Sequence, residues 1–184
     1  MKYSVVIRNR NEERYIGHCI QSLVDFLGDD IQIILVDNES TDNSIRIVNT
    51  FDYLKINKMV VKKNSYSPGH ALNKGIQMCD NPTTIVISAH CEITKFGRWD
   101  EQELNKTENP MNGEGVVAVW GKQIPIWNGK KVSRRYIWSN FGEEDKTNYY
   151  SKDEDRYFLH NALCFYDRQF LFDNPFDEKL SGKE

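Results

Sequence analysis

Tyr3-Ser-Val-Val-Ile-Arg8 and Ile31-Gln-Ile-Ile-Leu-Val36 are short, apolar, β-branched runs. The single stretch of helical periodicity between them decides how the fold is read. Runs without polar alternation suit strands buried on both faces of a parallel sheet. Between them Ile16, Cys19, Ile20, Leu23 and Val24 recur at helical spacing, with Asn11 as the expected N-cap. Gly28-Asp29-Asp30 ends that helix.

The same alternation continues outward. Ser40-Thr41-Asp42 supplies N-cap chemistry for a helix carrying Ile45, Ile47 and Val48. A third strand is expected over Lys58 to Lys62. A turn at Ser67-Pro68-Gly69 then leads into a helix from about His70 to Met78. Thr84-Ile-Val-Ile-Ser88 is the fourth strand. Four successive strand-then-helix units demand crossover connections. The fold class is therefore α/β, a mostly parallel central sheet with helices on both faces. The second half is less regular, with a strand candidate at Gly115–Gly121 between polar stretches at Asn105–Glu114 and Phe141–Arg156. One domain over residues 1–184 is expected, residues 1–92 forming a nucleotide-binding half and 93–184 an acceptor-side half.

Composition excludes more than it identifies. The 184 residues carry 28% charged side chains and a net charge of −3, so nothing favours nucleic acid or an anionic membrane as partner. No apolar run reaches the ~20 residues of a bilayer span, and the N-terminal run is too short for a signal peptide. A cytoplasmic protein with at most peripheral membrane association is expected. Cys19, Cys79, Cys91 and Cys164 show no metal-binding spacing and read as reduced thiols.

Ligands of open parallel sheets bind outside the carboxyl ends of the strands. That rule selects Arg8–Glu12, Asp37–Ser40, Tyr66–Asn73 and Ser88–Glu92. Arg8 and Arg10 suit a diphosphate, because a guanidinium fork donates two hydrogen bonds to phosphate oxygens; salt bridging to Glu12 or Glu13 is the plainer alternative. Neither a Walker pattern nor Gly-x-Gly-x-x-Gly occurs, which disfavours P-loop and dinucleotide sites. The aromatic residues, Asp177 with Glu178, and His160 with Asn161 are read first as packing, a solvated turn and structural hydrogen bonding.

Five segments in series resemble glycosyltransferase family 2. They are Ser4–Glu13, Ile34–Asp42, Tyr66–Gly75 with its Ala-Leu-Asn-x-Gly helix, Ile85–His90 in the place of the family's Asp-x-Asp, and Pro175–Glu184 on the approach to its Glu-Asp motif. Ser88-Ala89-His90 and the arginine-rich opening look like a rhamnosyltransferase-like subgroup. The resemblance implies a glycosyltransferase-A fold and inverting transfer from a nucleotide-diphosphate sugar to a glycan or lipid-linked acceptor in surface polysaccharide synthesis. It places Arg8, Arg10, Glu12, Asp37, Ser67, Gly69, Asn73, Ser88 and His90 around the donor, with Asp37 accepting from N3–H of uracil or thymine. His90 matches the metal-ligand position, and Ser88 and His90 replace both acids. A divalent metal (Mg or Mn) would be held mainly by the diphosphate, and metal-independent action is the alternative. Glu184 matches the first acid of the catalytic pair, and the second is expected in a longer native chain. Two other classes compete: a non-catalytic nucleotide-sugar-binding module, and a sugar nucleotidyltransferase, which the absence of glycine from Arg8–Glu12 disfavours.

Overall fold

The computed structural model describes residues 3–93, 117–125, 131–141 and 161–180. Its elements run β1 (Tyr3–Asn9), α1 (Ile16–Leu27), β2 (Gln32–Asp37), α2 (Ser44–Val48), β3 (Lys55–Val60), α3 (Pro68–Ile76), β4 (Thr83–Ser88), β5 (Ala118–Trp120), α4 (Lys131–Asn140), β6 (Leu163–Asp167) and α5 (Arg168–Asp173). They build one sheet in the order β3-β2-β1-β4-β6-β5. The first four strands are mutually parallel, and β6 runs antiparallel to both β4 and β5. The chain winds one way from β1 to β3 and the other way from β4, so the switch point lies at β1 and β4.

Every residue of β2 and β4 is buried, which is why these runs lack polar alternation. Side chains still alternate between faces. Val5, Ile7, Ile33, Leu35, Ile85 and Ile87 meet Ile16, Cys19, Ile20 and Leu23 of α1 and Val48 of α2. Val6, Ile34, Val36 and Val86 meet Ala71, Leu72 and Ile76 of α3, with Leu171 of α5 in the same cluster. Fully burying each such aliphatic side chain stabilises the fold by about 1.5–3 kcal/mol. Helices thus cover both faces.

Several boundaries differ from expectation. Asn11 does not cap α1: it takes a left-handed φ of 54° and its side-chain oxygen accepts from Thr41 N–H at 2.7 Å. The Glu12 carbonyl instead accepts from the N–H groups of Tyr15 and Ile16, so the helix opens four residues after the strand loop has been tied down. β3 starts three residues earlier than its apolar signal, because its register is set by β2, from Gln32 opposite Lys55 to Asp37 opposite Val60. α3 also begins earlier. Ser67 Oγ accepts from His70 N–H and Pro68 occupies the first turn, where its missing N–H costs no helical bond. Gly28 ends α1 with φ 80°, a conformation that favours glycine. Helix α4 was not foreseen. Residues 105–114 and 142–156, with His160, Trp99 and Trp127, lie outside the described residues.

Candidate functional site

Parallel register brings the ends of three strands together. Asn9 stands opposite Asp37, and Arg8 stands opposite Ser88. Backbone bonds carry the pairing past the strands, with Asn38 N–H donating to the Asn9 carbonyl and Ala89 N–H to the Arg8 carbonyl. The loops that follow β1, β2 and β4 therefore leave the sheet side by side.

Asp37, 4% exposed, is the best-supported charge in this region. Its Oδ1 accepts from Asn9 Nδ2 at 2.8 Å and from Ser40 Oγ at 2.6 Å, and its Oδ2 accepts from Ser40 N–H at 2.9 Å. A carboxylate offers about four acceptor positions, so one remains on Oδ2. Burial lowers the local dielectric, so a further hydrogen bond made there is electrostatically stronger than in water.

The β1 and β2 loops are stitched together beyond Asp37. Asn11 N–H donates to Ser40 Oγ, Glu12 N–H to Ser44 Oγ and Glu13 N–H to Asp42 Oδ2, while Glu13 Oε2 accepts from Asn43 N–H. Asp42 Oδ1 also accepts from the hydroxyl and N–H of Ser44. Burial opposes ionisation of Asp42, but those Ser44 bonds and the Glu13 N–H outweigh it and hold the carboxyl below its ordinary value. The N-cap of α2 is Asn43, which makes no side-chain cap bond; of the Ser40–Asp42 stretch, Asp42 bonds the first helical residue instead.

Across the switch point, His90 Nδ1 lies 3.1 Å from Glu12 Oε1. Because a carboxylate only accepts, the proton of this bond sits on Nδ1 and leaves Nε2 to other partners. Arg8 Nη2 donates to Ser88 Oγ over a long 3.4 Å, and Arg10 is exposed. Among the described residues no group of three or more His, Cys, Asp or Glu side chains could hold a metal ion. An imidazole backed by a carboxylate nevertheless matches the way metal-bound histidines are oriented. The donor set fits an ion held by one protein nitrogen and otherwise by phosphate oxygens, and does not fit an all-protein cage.

Ser67, Gly69 and Asn73 form a separate cluster. Ser67 caps α3. Asn73 gives both amide hydrogens away, to the Phe176 carbonyl at 2.9 Å and Glu178 Oε1 at 3.0 Å, and its oxygen accepts from Phe176 N–H at 2.9 Å. A Cβ on Gly69 would stand 2.6 Å from the Asp177 carbonyl oxygen. The structure thus packs Gly69 and Asn73 against residues 176–178. Glu178 sits in an exposed turn, as expected, and also bonds His70 and Asn73. Glu184 lies outside the described residues.

Asn9 and Ser40 fall within the stretches that the strand-end rule selects, but their hold on Asp37, and Ser44's on Glu12, are not legible there. The available signal was the parallel ending of two apolar runs, at Asn9 and Asp37, each on the first polar residue after the strand core. A hollow of about 490 Å³ along α1 is lined by His18, Gln21, Asp25 and Glu92 among others. It does not include Asp37, Glu12 or His90, and has no place in this site.

Comparison with known proteins bears on the fold and the family. The chain is 38% identical over 136 residues to the poly(ribitol-phosphate) beta-glucosyltransferase of Bacillus spizizenii, a match covering 67% of this chain and 22% of that protein. The crystal structure of residues 1–349 of TarS from Staphylococcus aureus superposes with a TM-score of 0.66 at 20% identity, covering 99% of this chain and 52% of that one. The same protein in complex with UDP-GlcNAc gives 0.59 at 21% identity, covering 95% and 47%. At these identities the structural likeness is one of fold, and the chain spans about half or less of the relatives it matches. Glycosyl transferase family 2 matches over residues 4–180, and the chain belongs to that family.

Proposed function

We propose that this chain is the donor-binding part of an inverting glycosyltransferase that takes a UDP- or dTDP-sugar. The carrying observation is the Asp37 carboxylate, fixed by Asn9 and Ser40 at the switch point with one acceptor position open. Uracil and thymine present N3–H to such an acceptor, whereas cytosine presents a lone pair. Arg8 and Arg10 then bind the diphosphate, and Ser88 and His90 approach it from the β4 side. A divalent ion, where bound, would be held by His90 and phosphate oxygens and would neutralise charge on the leaving diphosphate.

In an inverting transfer the acceptor hydroxyl attacks the anomeric carbon opposite the diphosphate, and its proton passes to a carboxylate base. We assign that proton to Glu184 or to an acid following it in a longer chain. The acceptor is a glycan or lipid-linked glycan of a surface polysaccharide; the curated relatives support this, being named for transfer to poly(ribitol-phosphate). The Ser88-Ala89-His90 stretch is our ground for placing the chain near a rhamnosyltransferase-like subgroup. No helix among the described residues is long and apolar enough to cross a membrane; the site of action we propose is cytoplasmic.

Calorimetric titration with UDP, dTDP and CMP tests the reading. A charge-assisted hydrogen bond contributes about 1.5–3 kcal/mol, so UDP and dTDP should bind about 10- to 100-fold more tightly than CMP. Tighter binding of CMP refutes it. Donor hydrolysis or transfer separates an enzyme from a non-catalytic binding module.

A further inference from the structure

Helix α3 carries two attachments that chain closure alone does not require. On one side, its lead-in is tied to the β2 loop: Asn38 Nδ2 donates to the Val61 carbonyl at 3.0 Å and Lys63 N–H to Glu39 Oε2 at 2.8 Å. On the other side, its first turns grip residues 176–178, more than a hundred positions later in sequence.

The second grip is specific in form. The Asn73 amide bonds both backbone groups of Phe176, donating to its carbonyl and accepting from its N–H, as a neighbouring strand would. The spare Asn73 hydrogen goes to Glu178 Oε1, and His70 Nδ1 lies 2.8 Å from Glu178 Oε2. Between these points the Asp177 carbonyl fits where only hydrogen stands on Gly69. The Phe176 ring meets Tyr166 edge-on at 6.1 Å, which anchors the turn to the core beneath. A ligand acceptor facing the Asn73 amide nitrogen would have to break bonds that already use both its hydrogens.

We propose that Gly69, His70 and Asn73 form a seat for the Phe176–Glu178 turn. Asn73 is then a positioning residue that fixes the course of the chain through Phe176–Glu178, the described segment that precedes Glu184 in sequence. The role assigned to Glu184 rests on the function proposed above. The lead-in to α3 is bonded to the loop after Asp37, so the seat and that loop are attached to the same helical segment.

The test compares the wild-type chain with Asn73→Ala and, as an independent variant with the amide intact, Gly69→Ala. Hydrogen exchange at Phe176 N–H, UDP affinity by calorimetry and steady-state donor turnover are measured on each. Loss of the paired bonds should speed Phe176 exchange in Asn73→Ala about tenfold, with UDP affinity within about twofold of wild type. Gly69→Ala should accelerate exchange in the same turn. Turnover should fall in kcat at unchanged donor KM. Unchanged Phe176 exchange, UDP affinity lost in Asn73→Ala, or a rise in KM at constant kcat would each overturn the proposal. Failure of the wild-type chain to bind UDP sinks the nucleotide reading instead, and the exchange arm still decides whether the seat exists.

Discussion

Asn9 and Asp37 end adjacent parallel strands in register, and the Asn9 side-chain amide donates to Asp37 Oδ1 at 2.8 Å. The pair makes Asp37 an oriented anion before any ligand arrives. Asp37→Asn keeps the shape and removes the charge, so UDP affinity should fall about 10- to 100-fold by calorimetry. Asn9→Ala should cost about 1–3 kcal/mol in urea unfolding, because it strips a donor from a buried carboxylate. Equal UDP affinity in Asp37→Asn and wild type would remove Asp37 from the site.

Gly75 shows how tightly α3 lies on the sheet. A Cβ there would stand 2.5 Å from Val6 Cγ1 and 3.0 Å from Val36 Cγ2, both in the buried cluster beneath the helix. The usual helix-propensity gain of Gly→Ala is opposed by overpacking that costs about 1–3 kcal/mol. Gly75→Ala should therefore lower the urea midpoint, and a raised midpoint would mean that the helix shifts without cost.

What the sequence discloses depends on whether the deciding force is local. β1, β2 and β4 are legible to within a residue, since their apolar runs fill the strands, although burial continues into the polar Asn9, Asp37 and Asn38. β3 is an edge strand with Lys55 and Lys58 in it, so its apolar signal begins late and its register comes from β2. Asn11 has good capping chemistry, but Thr41 competes for its side chain, and that partner is invisible to a local pattern. The Asp37 loop was recognisable as a strand-end aspartate; its dependence on Asn9 was not. Asn73 is read beside the donor from the resemblance of its Ala-Leu-Asn-x-Gly helix, and the pattern gives no sign of partners more than a hundred residues away.

The four cysteines are free thiols, and Cys19, Cys79 and Cys164 are buried. Burial pushes Cys79 up to about 11 and Cys164 up to about 12, and raises Cys19 further. Burial, with the Glu12 carboxylate nearby, pushes half-buried Cys91 up to about 11. At pH 8 such thiols carry about a thousandth or less of thiolate, the reactive form. Iodoacetamide should leave the native protein essentially unmodified over minutes and alkylate four sites after denaturation, as read by mass spectrometry.

The seat of the 176–178 turn should have a defined acid limit. Hydrogen bonds from Asn73 and His70, then the nearby His70 and Lys74 charges, hold the Glu178 carboxyl below its ordinary value. A depressed carboxyl contributes stability that is fully present above its unfolded value, about 4.3, and is lost as pH falls through the folded value. Phe176 exchange protection should thus be insensitive to this carboxyl above about pH 5 and decline below the ordinary carboxylate range. Glu178→Gln should remove that acid-side decline, because no proton is left to bind.

Glu12 and His90 decide the metal question because they meet through one ring nitrogen. With Nδ1 bonded to Glu12, Nε2 is the atom available to a cation or a phosphate oxygen. If it ligates an ion, Glu12→Ala should weaken Mn²⁺ binding to the UDP-loaded protein about 10- to 100-fold, the usual cost of losing the carboxylate behind a metal-bound histidine. His90→Ala should weaken it at least as much, and Glu12→Gln less, since a carboxamide oxygen still accepts from Nδ1–H. Titrating Mn²⁺ by its paramagnetic resonance signal reads all three. Equal Mn²⁺ affinity in the variants, with turnover that survives excess EDTA, would make His90 a phosphate donor. Arg8 and Arg10 would then carry the charge that the absent carboxylate–metal pair supplies elsewhere in the family.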